Sequence, residues 1–303
     1  MWRKKQETEI MIAIFGKTVH PKNIVYIEET LSYITKLGLR YVVEQNYAKL
    51  LHDIHRLPIE AETFADYDEV RKEVEVLFSM GGDGTILEAT TFIKETETPI
   101  LGINFGRLGF LANIGTDQIH QAIDIVAKGK FLLDRRTMLE LHCNQQIFTR
   151  FPFALNEMTI QRKDQSSMIT VHTYINGELL NEYWADGLIV ATPTGSTGYS
   201  LSCGGPIIYP TSGNFVITPI APHNLNVRPI VVADDVVLSF EVTGRGDSFL
   251  CTLDSRFEKI NSSYQIALKK AAFGMNLVRL TDMNFISALK NKLNWGMDQR
   301  NEN

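Results

Sequence analysis

The stretch Met80-Gly81-Gly82-Asp83-Gly84-Thr85-Ile86-Leu87-Glu88 joins a predicted strand to a predicted helix. The residues before it, 74–79, form a short apolar run that is typical of a buried strand, and the apolar residues after it recur at helical spacing. Thr85 and Glu88 fit a T-x-x-E capping box, which predicts Thr85 as the N-cap of the helix. The pattern therefore predicts a tight turn from strand to helix.

The glycines of this turn indicate an anion site. Gly81, Gly82 and Gly84 have no side chains and accept positive φ, so backbone N–H groups can face a ligand there. The N-terminus of a helix behind such a turn attracts phosphate. We therefore predict a phosphate site formed by Gly81, Gly82, Gly84 and Thr85. The negative charge of Asp83 does not suit simple anion binding, which favours a base or a metal contact over its alternative role as a local turn former.

The first 133 residues alternate between strand and helix patterns. Strands are predicted at 10–15, 41–43, 74–80 and 99–104, and helices at 21–38, 47–54, 86–93 and 117–128. This alternation predicts a doubly wound α/β domain with a parallel sheet covered on both faces. Ligands of such sheets bind outside the carboxyl ends of the strands, where the Gly81–Thr85 turn and residues 106–110 both lie.

From residue 134 the pattern changes to short strands. They are predicted at 139–144, 147–153, 157–161, 168–175, 179–184, 187–191, 215–220, 236–242, 249–253 and 263–269. Asn176-Gly177 between two of them is a strong hairpin signal. We expect a second domain of β-sandwich type over 134–282. A C-terminal helix within 283–303 is expected to return to the first domain.

Composition limits the classes of function. The chain has 303 residues, of which 44% are hydrophobic and 21% charged, and a net charge of -5, which is ordinary for a globular protein and gives no electrostatic footprint for nucleic acid. Cys143, Cys203 and Cys251 are too far apart for a disulfide framework or a zinc site, so we expect free buried thiols in a reducing cytoplasm. No run reaches transmembrane length, so no membrane contact is expected.

A second polar stretch runs from Asp186 to Ser202. Its segment 194–200 is crowded with Ser, Thr and Gly residues. Hydroxyl groups both donate and accept hydrogen bonds, which suits the edges of adenine and ribose. The alternative is a polar β-turn followed by a helix N-cap. The number of hydroxyl residues favours ligand binding.

These motifs together resemble those of NAD kinases, which make NADP by phosphorylating the 2′-hydroxyl of the adenosine ribose of NAD. The matching segments are Gly81–Thr85, Gly102–Asn104 with Gly106 and Leu108–Leu111, Asn156-Glu157, Asp186–Leu188 through Tyr199-Ser200, and Gly204–Pro206. Lipid kinases and phosphofructokinases carry turns similar to the first motif, whereas Asn156-Glu157 and Asp186–Ser202 together are specific. The resemblance implies a first domain like that of phosphofructokinase.

The resemblance also implies roles for individual residues. Asp83 is expected to accept the proton and, with Gly84, to lie against NAD. Asn156 and Glu157 are expected to hold the adenosine, and Asp186 to contact the nicotinamide side or a nearby polar edge. The dinucleotide pocket is expected to be lined by Thr197, Gly198, Tyr199, Ser200, Leu201 and Ser202, with further contacts from Ser167, Trp184 and Arg256.

Two of these positions depart from the family pattern. Some relatives have a basic residue at position 184 and a Gln at position 256. Trp184 is available to stack on a ring and Arg256 to meet a phosphate, so the choice between NAD and NADH stays open. The resemblance implies ATP as phosphoryl donor, although the sequence leaves another nucleotide or polyphosphate open. It also implies Mg²⁺ held mainly by water and phosphate, with Asp83 as an alternative ligand, and a homo-oligomer (dimer or tetramer). A lipid kinase and a non-catalytic dinucleotide sensor remain as alternatives.

Overall fold

The computed structural model describes residues 10–163, 167–246, 248–280 and 285–293. They fall into two compact units: the first ends at Asp134 and resumes at Asn276, and the second runs from Arg135 to Met275. Of the segment 283–303, predicted to contain a C-terminal helix, only 285–293 lie within the described residues.

The first unit is built on a parallel sheet. Its strands are Met11–Phe15 (β1), Arg40–Glu44 (β2), Thr63–Phe64 (β3), Val74–Met80 (β4) and Ile100–Ile103 (β5), and its helices in this part of the chain are Ile24–Lys36 (α1), Gln45–Lys49 (α2), Asp83–Ile93 (α3) and Ile119–Ala127 (α4). The strand order is β5-β4-β1-β2-β3, and every one of these pairs is parallel. Because fully buried residues such as Ile12, Ile14 and Phe78 fill the sheet, the doubly wound α/β prediction is confirmed.

Two details of this unit differ from the sequence prediction. The strand β3 was not predicted, because two residues are too short to show a period. The helix predicted at 47–54 begins earlier, at Gln45, and its second half, Leu50–Ile54, is π-helical rather than α-helical. The N-cap explains the earlier start, since the Glu44 carboxylate accepts the backbone N–H groups of Asn46 and Tyr47.

From Leu132 to Arg279 most of the regular structure is strand. The elements are Leu132–Cys143 (β6), Phe153–Ala154 (β7), Glu157–Arg162 (β8), Ile169–Ile175 (β9), Glu178–Ala185 (β10), Gly187–Ala191 (β11), a short helix Tyr199–Ser202 (α5), Asn214–Ile220 (β12), Ile230–Ala233 (β13), Leu238–Gly244 (β14), Phe249–Leu253 (β15), Arg256–Ile260 (β16) and Ile266–Arg279 (β17).

Two sheets form the second unit. One is antiparallel with the order β13-β12-β11-β8-β15-β16, and the other contains β10-β9-β14-β17, with β6 paired to β17 and to β7. Ile160 and Val190 from the first sheet share one buried core with Val171 and Phe240 from the second. The β-sandwich prediction is therefore confirmed.

The predicted strand at 147–153 is wrong. Only Phe153 and Ala154 pair with a neighbour, β6, and the rest is a loop in which Phe148 has a φ of 50° and Phe151 donates to the carbonyl of Phe148. Ile147, Phe148 and Phe151 are nevertheless buried. The segment is therefore a loop whose apolar side chains are packed into the core. Its apolar residues do not alternate with polar ones, and a buried loop of this kind cannot be distinguished from a buried strand by its sequence pattern.

The last described residues belong to the first unit. The end of β17 pairs in parallel with β5 through Leu277 and Ile100, and helix Phe285–Leu293 (α6) follows. The ring of Phe285 lies 6.2 Å from that of Phe110. None of the helices in the described part of the chain has the length and apolarity needed to span a bilayer. The three cysteines are free, but only Cys251 is buried, so the expectation of buried thiols is wrong for Cys143 and Cys203.

Candidate functional site

The turn after β4 delivers Asp83 as the first residue of α3. Gly82 is the N-cap, so the predicted N-cap role of Thr85 is wrong. Glu88, the partner that the capping box requires, instead forms an ion pair with Lys17. Gly81 is needed because a Cβ there would lie 2.3 Å from Thr85 Oγ1, whereas Gly84 has open space around it.

The carboxylate of Asp83 holds the loop that follows β5. Its Oδ2 accepts the N–H of Phe110 at 2.9 Å, and its Oδ1 accepts those of Leu111 at 3.1 Å and Ala112 at 2.9 Å. Strands β4 and β5 are neighbours and parallel, so both segments leave the sheet at the same edge. The position of the Asp83 carboxylate is therefore set by three backbone donors.

Two residues shape the loop to receive this carboxylate. The Asn104 side chain donates to the carbonyl of Arg107 at 2.9 Å and accepts the N–H of Gly106 at 2.9 Å. A Cβ on Gly109 would lie 1.7 Å from Oδ1 of Asp83. Asn104 thus shapes the loop through its side-chain hydrogen bonds, and the glycine at position 109 is required by the close approach of the Asp83 side chain to the backbone.

Lys292 of α6 is a neighbour of Asp83 that the sequence analysis missed. Its Nζ lies 3.5 Å from Oδ2 of Asp83 and 4.6 Å from the centre of the Phe110 ring, and Arg107 donates to its carbonyl at 3.3 Å. A lysine in the last turn of a helix is common, so no sequence signal distinguished this one. The contact places a cation beside the candidate base.

One acceptor position of Asp83 is left for a ligand. Each carboxylate oxygen has two lone pairs. Oδ1 takes two backbone donors, whereas Oδ2 takes one and has the Lys292 ammonium nearby. We therefore assign Oδ2 as the oxygen that is able to accept a further proton or hydrogen bond.

The second group of predicted residues lies where the neighbouring strands β11, β8 and β15 of the six-stranded sheet begin or end. Strand β8 is antiparallel to both β11 and β15, so its first residues stand beside the last residues of those strands. Glu157 is the first residue of β8 and Asn156 precedes it, the segment 192–202 follows β11, and the turn Asp254-Ser255 follows β15.

Backbone contacts join the two predicted binding motifs. Thr192 donates from its N–H to the carbonyl of Asn156 at 2.9 Å and from its Oγ1 to the carbonyl of Leu155 at 2.6 Å. A Cβ on Gly195 would lie 2.1 Å from the Asn156 carbonyl oxygen. The structure therefore brings Asn156-Glu157 and the segment 194–202 together, as the shared-ligand prediction requires.

Glu157 occupies an unusual electrostatic environment. Burial and the nearby charge of Asp254 raise the pKa of the Glu157 carboxyl to about 8, against an opposing hydrogen bond from the Tyr199 N–H. Its Oε2 is buried and has no hydrogen-bond partner among the described residues. A buried polar oxygen without a partner is an acceptor or, when protonated, a donor for a ligand.

We expect this buried carboxyl to make stability depend on pH. The pKa of Glu157 rises from 4.5 to about 8 on folding, so the unfolded chain loses this proton at lower pH than the folded chain. The free energy of unfolding therefore falls as the pH rises from about 4.5 to about 8, by about 1.4 kcal/mol per pH unit for this group. Replacing Glu157→Gln should remove that slope, measured by urea unfolding from pH 5 to pH 8. Parallel curves for the two proteins would contradict the expectation.

The predicted pocket-lining segment 197–202 divides into inward and outward side chains. The Ser200 hydroxyl is fully buried and 2.8 Å from that of Thr218, and Thr197 Oγ1 donates to the Thr194 carbonyl at 3.0 Å. Gly198, Leu201 and Ser202 are at least partly accessible, and Tyr199 is 39% exposed. Part of the hydroxyl richness therefore serves the turn itself, which is the alternative that the sequence left open.

Asp186 and Trp184 have partners within the second unit. The Asp186 carboxylate forms a two-pronged ion pair with Arg162, with both N–O distances at 3.0 Å. The Trp184 ring is 50% exposed and lies 4.2 Å from the ring of His223. Both side chains are thus held in place and remain partly accessible.

Ser167 lines a cavity of about 340 Å³ together with Arg162, Lys163, Ile169, Arg245, Gly246, Ser248 and Phe249. Residues 164–166 and 247, next to this cavity, lie outside the described residues.

The Arg256 guanidinium, predicted to be available for a phosphate, already has other acceptors. It donates to the backbone carbonyls of Phe151 and Phe153, and it lies 5.4 Å from the ring centre of Phe151. Its Nε is buried without a hydrogen-bond partner among the described residues. Two of its three nitrogens therefore bind the protein's own backbone.

The acidic, histidine and cysteine side chains limit how a metal could be held. Within the described ranges, no group of three or more His, Cys, Asp or Glu side chains is arranged to hold a metal ion. The single open acceptor of Asp83 fits an ion that keeps mostly water and phosphate ligands, as Mg²⁺ does.

Comparisons with known proteins agree with the fold and the motifs. Residues 12–131 match the family model described as ATP-NAD kinase N-terminal domain, and residues 155–280 match ATP-NAD kinase C-terminal domain. An NAD kinase of Cytophaga hutchinsonii is 44% identical over 96% of this chain and 100% of its own length. An NAD kinase of Flavobacterium psychrophilum is 42% identical over 96% of this chain and 99% of its own.

Two solved structures share the fold. Yeast NADH kinase complexed with NADH superposes with a TM-score of 0.86 at 23% identity, covering 98% of this chain and 91% of that one. An NAD kinase from Archaeoglobus fulgidus in complex with ATP gives 0.70 at 24% identity, covering 93% and 98%. With both domain models matched and full-length relatives above 40% identity, the chain belongs to the ATP-NAD kinase family.

Proposed function

We propose that the protein is an NAD kinase that transfers the γ-phosphoryl group of ATP to the 2′-hydroxyl of the adenosine ribose of NAD, giving NADP and ADP. The supporting observation is the Asp83 carboxylate, which three backbone N–H groups hold at the N-terminus of α3 with one acceptor position open on Oδ2. A base of fixed position beside a glycine turn suits phosphoryl transfer to an alcohol.

Asp83 acts as the proton acceptor in this proposal. The ribose 2′-oxygen forms a bond to the γ-phosphorus while the bond from that phosphorus to the β,γ-bridging oxygen breaks, and the hydroxyl proton passes to Oδ2. The transition state of such transfers is loose, so the protein contributes mainly position and charge. The backbone N–H groups of Gly82, Asp83 and Gly84, at the N-terminus of α3, bind the donor phosphates in this proposal. The N–H groups of Gly81 and Thr85, which the sequence analysis also assigned to the phosphates, instead donate to the carbonyls of Ile103 and Gly82, both at 2.9 Å.

Asn156 and Glu157 hold the adenosine in the second unit. Their position at the start of β8, next to the segment 194–202, supports this assignment. We assign Gly198, Tyr199, Leu201 and Ser202 as accessible pocket residues, with Thr197 and Ser200 supporting the turn. Ser167, Trp184 and Asp186 remain proposed contacts to NAD.

Asp83 would be the protein ligand of a Mg²⁺ ion that accompanies ATP, and this ion would supply positive charge to the transferred phosphoryl group. By resemblance to the family we also propose a homo-oligomer that works in the cytoplasm, which suits the three free cysteines.

The test is direct. The purified chain is incubated with NAD, ATP and MgCl₂, and NADP is measured with an NADP-specific dehydrogenase. NADP formation that requires ATP supports the proposal, and parallel reactions with NADH and with polyphosphate define the acceptor and donor ranges. Saturable NAD binding without turnover would indicate a dinucleotide sensor, and phosphorylation of a diacylglycerol or sphingoid base in place of NAD would indicate a lipid kinase.

A further inference from the structure

Two residues at the junction of β15 and β16 form hydrogen bonds to the backbone of the segment 151–157. Arg256 donates to the carbonyls of Phe151 and Phe153. The Asp254 carboxylate accepts the N–H groups of Leu155 at 2.8 Å, Asn156 at 2.8 Å and Glu157 at 3.1 Å. We call this pair, Asp254 and Arg256, the 254/256 clamp.

We propose that Asp254 and Arg256 are positioning residues of the dinucleotide site, because together they determine where Asn156 and Glu157 stand. The inference rests on the proposed contacts of Asn156 and Glu157 with NAD. It also reassigns Arg256, which supports the binding segment from behind instead of contacting a phosphate.

The clamp acts on a segment that regular structure does not fix. Between β7 and β8, Leu155 and Asn156 lie outside any strand, and their N–H groups go to a side chain instead of a sheet. A backbone hydrogen bond also joins the two segments, since the N–H of Asp254 donates to the Glu157 carbonyl at 3.0 Å. Asp254 has a φ of 52°, a left-handed conformation that residues other than glycine adopt infrequently. The chain thus accepts local strain where the carboxylate turns towards Asn156 and Glu157.

The clamp also sets the charge around Glu157. The groups facing the Glu157 carboxyl are Asp254 from the β15–β16 turn and the Tyr199 N–H from α5, and Arg256 faces Asp254 in turn. Burial raises the pKa of the Asp254 carboxyl, and the N–H groups of Leu155, Asn156 and Glu157 together with the Arg256 charge oppose that rise. The clamp therefore places a second acidic group beside Glu157, which raises the pKa of the Glu157 carboxyl beyond the effect of burial.

The two hydrogen bonds of Arg256 require the planar, forked shape of its guanidinium group. Its guanidinium bridges two carbonyls that are two residues apart and lies 5.8 Å and 5.4 Å from the ring centres of Phe148 and Phe151. A planar group with several fixed donors makes such a bridge, and a Gln or Lys side chain does not. The residue that departs from the family's Gln therefore holds the chain at Phe151 and Phe153, which leads into Asn156 and Glu157.

The first test compares Michaelis constants of the full-length enzyme. Asp254→Asn should raise the KM for NAD about 10-fold, a change equivalent to about 1.4 kcal/mol, since an amide cannot accept all three N–H groups. Arg256→Gln should raise it several-fold, and Arg256→Lys should recover part of the loss. The KM for ATP should stay unchanged in all three variants. Asp235→Asn and Lys259→Gln, two exposed residues of the same unit, serve as matched controls.

The second test uses pH, which a purely structural role would not affect. If the ionised carboxylate of Glu157 accepts hydrogen bonds from ribose hydroxyls, the KM for NAD falls as the pH rises through the pKa of Glu157, near 8. Removing the charge of Asp254 lowers that pKa, so the fall should move to lower pH in Asp254→Asn and vanish in Glu157→Gln. If Asp254→Asn does not fold, the KM values of Arg256→Gln and Arg256→Lys for NAD and ATP test the proposal instead.

Several outcomes would overturn the inference. Clamp variants with an unchanged KM for NAD, or with equal losses for NAD and ATP, would show that the clamp does not position the NAD contacts. A salt dependence of the KM for NAD that disappears in Arg256→Gln would show a direct phosphate contact instead. The proposed NAD contacts fail separately, if Asn156→Ala and Glu157→Gln leave the KM for NAD at the wild-type value.

Discussion

Replacing Asp83→Asn should lower kcat for NADP formation by about 10²- to 10⁴-fold, the usual contribution of a general base. An amide is not basic, so the ribose hydroxyl loses its proton acceptor. The geometry adds a second effect. Oδ1 and Oδ2 of Asp83 accept three N–H groups, and the NH₂ of Asn in either position faces at least one of them. That buried donor loses its partner, which costs about 1–3 kcal/mol of the free energy of unfolding.

The measurement combines steady-state kinetics with urea unfolding of the same preparation. Asp53→Asn, which alters an exposed carboxylate of the same unit, is the control and should change neither quantity. If Asp83 is instead a metal ligand, the variant should raise the Mg²⁺ concentration needed for half-maximal activity more than it alters the pH profile. Wild-type turnover in Asp83→Asn would remove this residue from the chemistry.

Sequence patterns predicted the elements but not the contacts of Asp83. The glycines and the apolar periods placed a turn at residues 81–85 and a helix behind it, which is local information. The capping box was a false signal, because Glu88 finds Lys17, a residue 71 positions away, as its partner. Lys292 shows the same limitation, since its ion pair with Asp83 depends on the return of α6 to the first unit.

The prediction of the second unit from the sequence was limited in a similar way. Alternation predicted most strands of the sandwich, whereas the buried loop at 147–153 was taken for a strand because its apolar residues are packed without a period. Asp254 was overlooked for the opposite reason. A single Asp at a β-turn is usually a turn former, and only the fold shows that it accepts three N–H groups of the segment that carries Asn156 and Glu157.

Replacing Gly109→Ala should damage the same site without touching an ionisable group. The added Cβ would lie 1.7 Å from Oδ1 and 2.5 Å from Cγ of Asp83, so the carboxylate or the loop has to move. Because Asp83 is the first residue of α3 and its oxygens bind the next three residues of the loop, that movement disrupts the N–H contacts as a group. A displacement of about 1 Å in a catalytic group lowers turnover by about 10²-fold.

Gly106→Ala is the matched control, because it lies in the same loop and its added Cβ would meet its nearest neighbour, Asn104 Oδ1, at 3.7 Å. We expect kcat within about twofold of wild type for Gly106→Ala and a fall of at least about 10²-fold for Gly109→Ala. The KM for NAD should change little in both variants, since the adenosine contacts are proposed in the other unit. Equal kcat values for the two variants would mean that the position of Asp83 does not control the reaction, which would argue against its role as the base even if Asp83→Asn were inactive.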